Sequence, residues 1–150
     1  MKLIVHTDGG ARGNPGPSAV GVVIEEITQM QGAPQKKKII QEFGKTIGET
    51  TNNVAEYTAV IEALEWITNN PINQSTNQPI IQFYLDSTLV VNQLNGIFKV
   101  KDARLRELLM KAKILEQGID GSIQYNSVPR EQNTRADYLV NKALDDKLVA

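Results

Sequence analysis

Apolar residues recur along the chain in two rhythms. Residues 3–7 (LIVHT) are a short β-prone run ending on Asp8, and residues 19–24 (AVGVVI) and 39–47 (IIQEFGKTI) predict two further strands. Residues 28–35, with Gly32 and Pro34, predict the hairpin loop between those two. The segment 9–17, GGARGNPGP, is so dense in glycine and proline that a turn is expected throughout. After Thr51, Asn52 and Asn53, which supply capping side chains, Val54, Tyr57, Ile61, Leu64 and Ile67 recur at helical spacing, and the pattern stops before Pro71. Residues 69–79 read as polar linker. Residues 80–85 predict a fourth strand ending on Asp86, and residues 87–94 a short helix closed by Asn95-Gly96. Asp102 can cap a longer helix carrying Leu105, Leu108, Leu109, Ala112 and Leu115 on one side. Residues 122–128 predict a fifth strand. A last helix, starting near Asn133 or Thr134, turns Ala136, Leu139, Val140 and Ala143 inward.

Three meandering strands followed by strand–helix units predict an α/β fold. Its sheet is mixed, antiparallel on one side and parallel on the other, with helices on both faces. The 150 residues, 41% hydrophobic and 22% charged and without an internal repeat, suit one domain spanning 1–150 with one sizeable core. The chain has no cysteine, which excludes disulfides and thiolate metal sites. The N-terminal apolar run is interrupted at His6 and Asp8, too soon for a signal peptide or a membrane span. A soluble, cytoplasmic, monomeric protein without a membrane partner is expected.

The formal net charge of −1 gives no overall pull toward nucleic acid. Locally, Lys99, Lys101, Arg104, Arg106, Lys111 and Lys113 stand against only Asp102 and Glu107, and Lys36, Lys37 and Lys38 form a second cluster. Alone, either cluster reads as solvated surface; beside an acidic site, such residues become phosphate contacts.

That acidic site is what the candidate chemistry turns on. Asp8 and Asp86 each follow an apolar strand run, and the carboxyl ends of parallel strands are where open α/β sheets bind ligands. Glu56 and Asp137 each fall near the start of a predicted helix. A lone aspartate after a strand is ordinarily a turn former or a helix cap. Four converging carboxylates are different, because they raise one another's pKa and call for cations. Oxygen ligands suit Mg2+ or Mn2+, and a pair of Mg2+ ions can activate water and steady the leaving oxygen of a phosphodiester.

Four segments, TDGGARGNPGPSAVGVVI, ETTNNVAEYTAVIEALEWI, YLDSTLVVNQLNG and VPREQNTRADYLVNKA, resemble in order the four catalytic blocks of type 1 ribonuclease H, a likeness running from Lys2 to Ala143. The resemblance implies a five-stranded mixed sheet of order 3-2-1-4-5. It implies cleavage of the RNA strand of RNA–DNA hybrids by two Mg2+ ions, leaving 5′-phosphate and 3′-hydroxyl ends. Asp8 and Asp86 would bind metal from adjacent strands, with the Gly9 backbone. Glu56 would serve the ion on the attacking-water side and sense the ribose, and Asp137 would complete the second ion's shell. Gly10, Asn14, Asn52, Asn53 and Ser87 match positions that meet the hybrid, and the backbone at Gly9 and Gly10 can approach a sugar closely.

The chain departs from better-known members in three ways. Residues 128–133 (VPREQN) lack the loop histidine and offer Arg130 instead, as a phosphate contact or plain surface. The basic, tryptophan-bearing protrusion is absent, leaving Lys99 and Lys101 to flank the DNA strand or to be plain surface. Thr88 replaces a common glutamine. These traits resemble shorter archaeal and some bacterial variants, with no N-terminal hybrid-binding module. His6 and Trp66 are expected to be packing residues, and the glycine-rich stretch lacks the Gly-Lys-Ser/Thr ending of a phosphate loop. Three alternatives remain at this level: a hybrid-binding module without turnover, a nuclease of the same fold acting on another nucleic acid, and a detached reverse-transcriptase domain.

Overall fold

In the computed structural model, which describes residues 1–28, 30–70 and 78–149, strand β1 (Lys2–Ala11) is the axis of the molecule. Its side chains alternate: Leu3, Val5 and Thr7 are buried toward one face, while Ile4, His6 and Asp8 point to the other. β2 (Gly16–Thr28) runs antiparallel beside it, and β3 (Lys36–Thr50) antiparallel beside β2. On its other side β1 pairs in parallel with β4 (Ile80–Leu85), which pairs in parallel with β5 (Ser122–Ser127). The sheet order β3-β2-β1-β4-β5 is the expected one.

Helices α1 (Asn52–Thr68), α2 (Thr88–Leu94) and α3 (Ala103–Gln117) pack on one face. Leu3, Val5, Val22, Ile24, Ile81, Phe83 and Leu85 from the strands meet Tyr57, Val60, Leu64, Ile67, Val90 and Leu108 there in one large core. Helix α4 (Thr134–Val149) is the one described helix on the opposite face, burying Ala136, Leu139, Val140 and Leu144 against Ala19 and Val23. No described helix is long and apolar enough to cross a membrane.

The first three strands are longer than local composition predicts, while β5 ends at Ser127, one residue short of the expectation. Residues 9–11, expected in a turn, continue β1 and pair with Val20, Ala19 and Ser18, and Gly16 and Pro17 already belong to β2. Asp8 therefore sits inside its strand rather than at its end. The turn is confined to residues 12–15 and closed by Arg12 N–H donating to the Pro17 carbonyl at 2.8 Å. Likewise β2 runs on to Thr28, the first residue of the expected hairpin loop, and β3 starts at Lys36, ahead of the expected strand, so Lys36, Lys37 and Lys38 are strand residues paired with Thr28, Ile27 and Glu26. Asn52 and Asn53 form the first turn of α1, with Thr51 as its cap. Gln29 of the hairpin loop and residues 71–77 of the expected linker lie outside the described residues.

One cross-strand row determines where α4 sits. Asp8 pairs with Gly21, and Gly21 pairs with Gly44, so all three present the same face to α4. A Cβ at Gly21 would collide with the Ala136 carbonyl, and one at Gly44 with the Leu139 carbonyl. The helix thus lies on bare backbone, with Asp8 at the end of its seat. Replacing Gly44 by alanine should force α4 off that seat. We expect Gly44→Ala to lose about 1–3 kcal/mol, as overpacked cores do, read as a lowered Tm; an unchanged Tm would show that the seat has slack.

Candidate active site

The first functional side chain is positioned by a glycine. Thr51 caps α1 by accepting the Val54 N–H at 3.3 Å, and the opening turn of the helix then rests directly on Gly9. A Cβ at Gly9 would collide with the carbonyl of Ala55 and the nitrogen of Glu56. Gly9 is therefore bare because a helix approaches it, a reason distinct from the expected approach of a sugar. At Gly10 a Cβ would only touch Val140 at 3.7 Å, an ordinary contact. The close approach lets Gly9 N–H donate to Glu56 Oε1 at 2.9 Å. Glu56 is buried, and its Oε2 has no partner among the described residues.

Two asparagines fix the same junction. Ala11 N–H donates to Asn52 Oδ1 at 2.8 Å, and Asn52 N–H donates to Asn14 Oδ1 at 3.0 Å. The acceptor ends of both side chains are thus used within the protein. Asn53 lies beside them in the first turn of α1, on the cleft wall.

Asp86 follows β4 directly, and Ser87 caps α2 by accepting the Val90 N–H at 3.3 Å. Thr88 lies within hydrogen-bonding distance, 3.1 Å, of Ser127 at the end of β5. Asp137 occupies the first turn of α4, above the Asp8 end of the glycine row. Asp8, Glu56 and Asp86 each offer an oxygen within 4.8 Å of the others, a set that can hold a metal ion. Asp137 lines the same cleft, of about 400 Å3, with Gly9, Gly10, Asn52, Asn53, Ser87 and Arg130.

The electrostatics follow from burial and like charge. Burial pushes the Asp8 carboxyl up to about 7; the adjoining Glu56 opposes this, while the Asp86 and Asp137 charges add to it. Glu56 is raised by burial first and by Asp8 next. Asp86 is raised by burial, against the pull of Arg130. Arg130 stands in a single 3-10 turn (Arg130–Gln132), is 85% exposed, and reaches only 3.9 Å from Asp86, too loosely to neutralise the group.

Other expected residues fall elsewhere. Lys99 and Lys101 are exposed on the segment between α2 and α3 and do not line the cleft, because that segment leads away from it. His6, two residues below Asp8, stacks on Tyr84 with ring centroids 5.3 Å apart, and burial lowers its pKa. Trp66 packs half-buried against the large core. Conversely, the cleft is also lined by Arg12 and Asn141, which sequence reasoning missed. Asn141 follows Asp137 by one helical turn and donates to its carbonyl at 3.1 Å, so helical spacing was the available signal. Arg12 is held by Asp145 at 2.7 Å.

Comparison with known proteins adds relatives to this geometry. A family model described as reverse transcriptase-like matches residues 6–143. A ribonuclease HI of Halobacterium salinarum is 43% identical over 97% of the chain and 65% of its own length. The chain spans about a third of the length of the curated relatives it matches in Mycobacterium bovis and Mycobacterium tuberculosis, among them a bifunctional protein of Mycobacterium tuberculosis that is 36% identical. The crystal structure of LC11-RNase H1 in complex with an RNA/DNA hybrid superposes with a TM-score of 0.82 at 40% identity, covering 97% of this chain and 99% of that one.

The raised carboxyls make stability depend on pH. Folded Asp8 keeps its proton to about pH 7, whereas an unfolded aspartate releases it near 4. The native state therefore binds more protons between those values, and stability falls as pH rises through that window. Thermal melting in chelator should show this decline, and Asp8→Asn should flatten it. The same slope in wild type and variant would refute a repulsive cluster centred on Asp8.

Proposed function

The chain belongs to the type 1 ribonuclease H family, and from that membership we propose that it hydrolyses the RNA strand of RNA–DNA hybrids in the cleft formed by Asp8, Glu56, Asp86 and Asp137. The carrying observation is the convergence of Asp8 and Asp86 on the buried Glu56 carboxylate, whose Oε2 has no partner among the described residues. A binding module has no use for such a cluster, which costs stability unless cations offset it.

The residues fit divalent cations. Hard oxygens converge, and among the described residues the only ion pair to any of these carboxylates is the loose contact of Arg130 with Asp86. We assign Asp8, Glu56, Asp86 and Asp137, with the Gly9 backbone, to holding two Mg2+ ions, Mn2+ being an alternative. Bound there, such ions supply an activated water and offset charge on the scissile phosphate.

The protein's own groups do the rest. Gly9 N–H holds Glu56 Oε1, so Oε2 is left to face the cleft chemistry in a fixed orientation. Because Asn14 and Asn52 spend their oxygens on backbone N–H groups, their amide nitrogens are the ends available to sugar and phosphate oxygens. Gly10, Asn53 and the Ser87 hydroxyl line the approach, and the Arg130 guanidinium, exposed at the rim, is suited to a phosphate. Lys99 and Lys101, outside the cleft, can meet only a strand extending beyond it. Discrimination of RNA rests on the 2′-hydroxyl, which lines the wide minor groove of the duplex.

Two experiments test the proposal. Labelled hybrid should be cut in the presence of Mg2+ and spared in EDTA, and an all-DNA duplex should not be cut; comparable cleavage of the DNA duplex would replace this reading with a DNA nuclease. Asp8→Asn and Asp86→Asn should each lower the rate by orders of magnitude while remaining folded. A variant keeping more than about a tenth of the rate, a barrier change of only ~1.4 kcal/mol, would remove its residue from the core of the site.

A further inference from the structure

The sheet divides just below the carboxylates. Pairing of β1 with β4 ends at His6 and Tyr84, so Thr7 lies beyond the last pair of that ladder. Its carbonyl is taken by a side chain from far along the chain: Asn133 Nδ2 donates to Thr7 O at 2.9 Å. A carbonyl can only accept, so the amide nitrogen must be the end that faces it. Asn133 is 1% exposed, and its Oδ1 has no partner among the described residues.

The position of Asn133 makes this arrangement costly. It immediately precedes α4, where asparagine ordinarily turns its oxygen onto the N–H groups of the first turn. Here the side chain forgoes that role and reaches across to β1. Meanwhile the Asn133 carbonyl accepts the Asp137 N–H at 3.2 Å, the first turn of the helix. Asp8 and Asp137 are thereby joined by a short series of contacts: Thr7 adjoins Asp8, its carbonyl holds Asn133, and Asn133 holds the backbone of Asp137. The glycine row fixes the height of α4 over the sheet, and this contact fixes the end of the helix that carries the acid.

We propose that Asn133 is a positioning residue that sets Asp137 against Asp8, so that the two carboxylates can share divalent cations. The inference rests on the metal reading above. Serine at this position can cap α4 but is too short to bridge to Thr7, so it removes the cross-link without weakening the helix start.

Binding of Mn2+ to the free protein, followed by electron paramagnetic resonance and calorimetry, tests it without recourse to turnover. Asn133→Ser should weaken Mn2+ binding by about three- to tenfold, the scale of one lost hydrogen bond, and raise the Mg2+ concentration needed for cleavage while the KM for hybrid stays unchanged. In an Asp137→Asn background the same substitution should leave Mn2+ affinity unaltered, because the residue it acts through is gone. Should the serine variant fail to fold, Asn133→Gln carries the test: its amide still reaches Thr7 but lengthens the link by one methylene, and lowered affinity is again expected. Wild-type affinity in a folded variant, or an equal loss in the Asp137→Asn background, overturns the inference alone. Absence of Mn2+ binding by the unchanged protein overturns the metal reading and this inference with it.

Discussion

The site exists because two helices touch strands with no side chain between them. At Gly9 the opening turn of α1 presses on β1, and at Gly21 and Gly44 helix α4 lies on β2 and β3. Each contact brings backbone to backbone, and each delivers one acid: Glu56 from α1 and Asp137 from α4. Asp8 stands between them on β1, a neighbour of Gly9 in sequence and of Gly21 in the sheet. A methyl group at any of the three glycines would collide with the backbone of the helix that rests on it.

The carboxylates oppose the forces that gather them. Burial and mutual repulsion raise the pKa values of Asp8, Glu56 and Asp86, so hydrophobic packing elsewhere must offset the strain. The large core beneath α1 supplies it, with Tyr57, Leu64, Ile67 and Phe83 fully buried. Nearby cations do little to relieve the strain. Arg12 is engaged by Asp145 and Arg130 barely reaches Asp86. A cluster left so nearly uncompensated is suited to exogenous cations, and stability is given up for function here as it commonly is at active sites.

Sequence pattern was a good guide to the helices and to the mixed sheet, because helical spacing and strand alternation are local properties of the chain; the strand order was implied by the family resemblance alone. It failed where pairing overrules composition. The glycine-rich stretch after Asp8 reads as a turn, yet residues 9–11 stay in the sheet because Val20, Ala19 and Ser18 lie opposite them. The four acids stood out by their place in the family motifs, while the reason Gly9 is glycine required knowing that α1 sits on it. Charge runs carry no direction, which is why Lys99 and Lys101 looked nearer the cleft than they are. Asn133 was legible as a helix start but not as a cross-link, since the carbonyl it serves is 126 residues away in the sequence.

The two ends of the fold face different surroundings. β1 starts beside Ile80, where Ile80 N–H donates to the Met1 carbonyl at 3.0 Å, at the far end of the sheet from Asp8. Asp8 lies six residues along the strand from Lys2, roughly 20 Å at the rise of an extended chain. The last helix instead runs along the cleft, with Leu144 on its wall and the exposed Leu148 one turn further on. A tether, label or solid support joined through the first residue would therefore hold the molecule by its back and leave the carboxylates open. The same attachment after α4 would compete for that space.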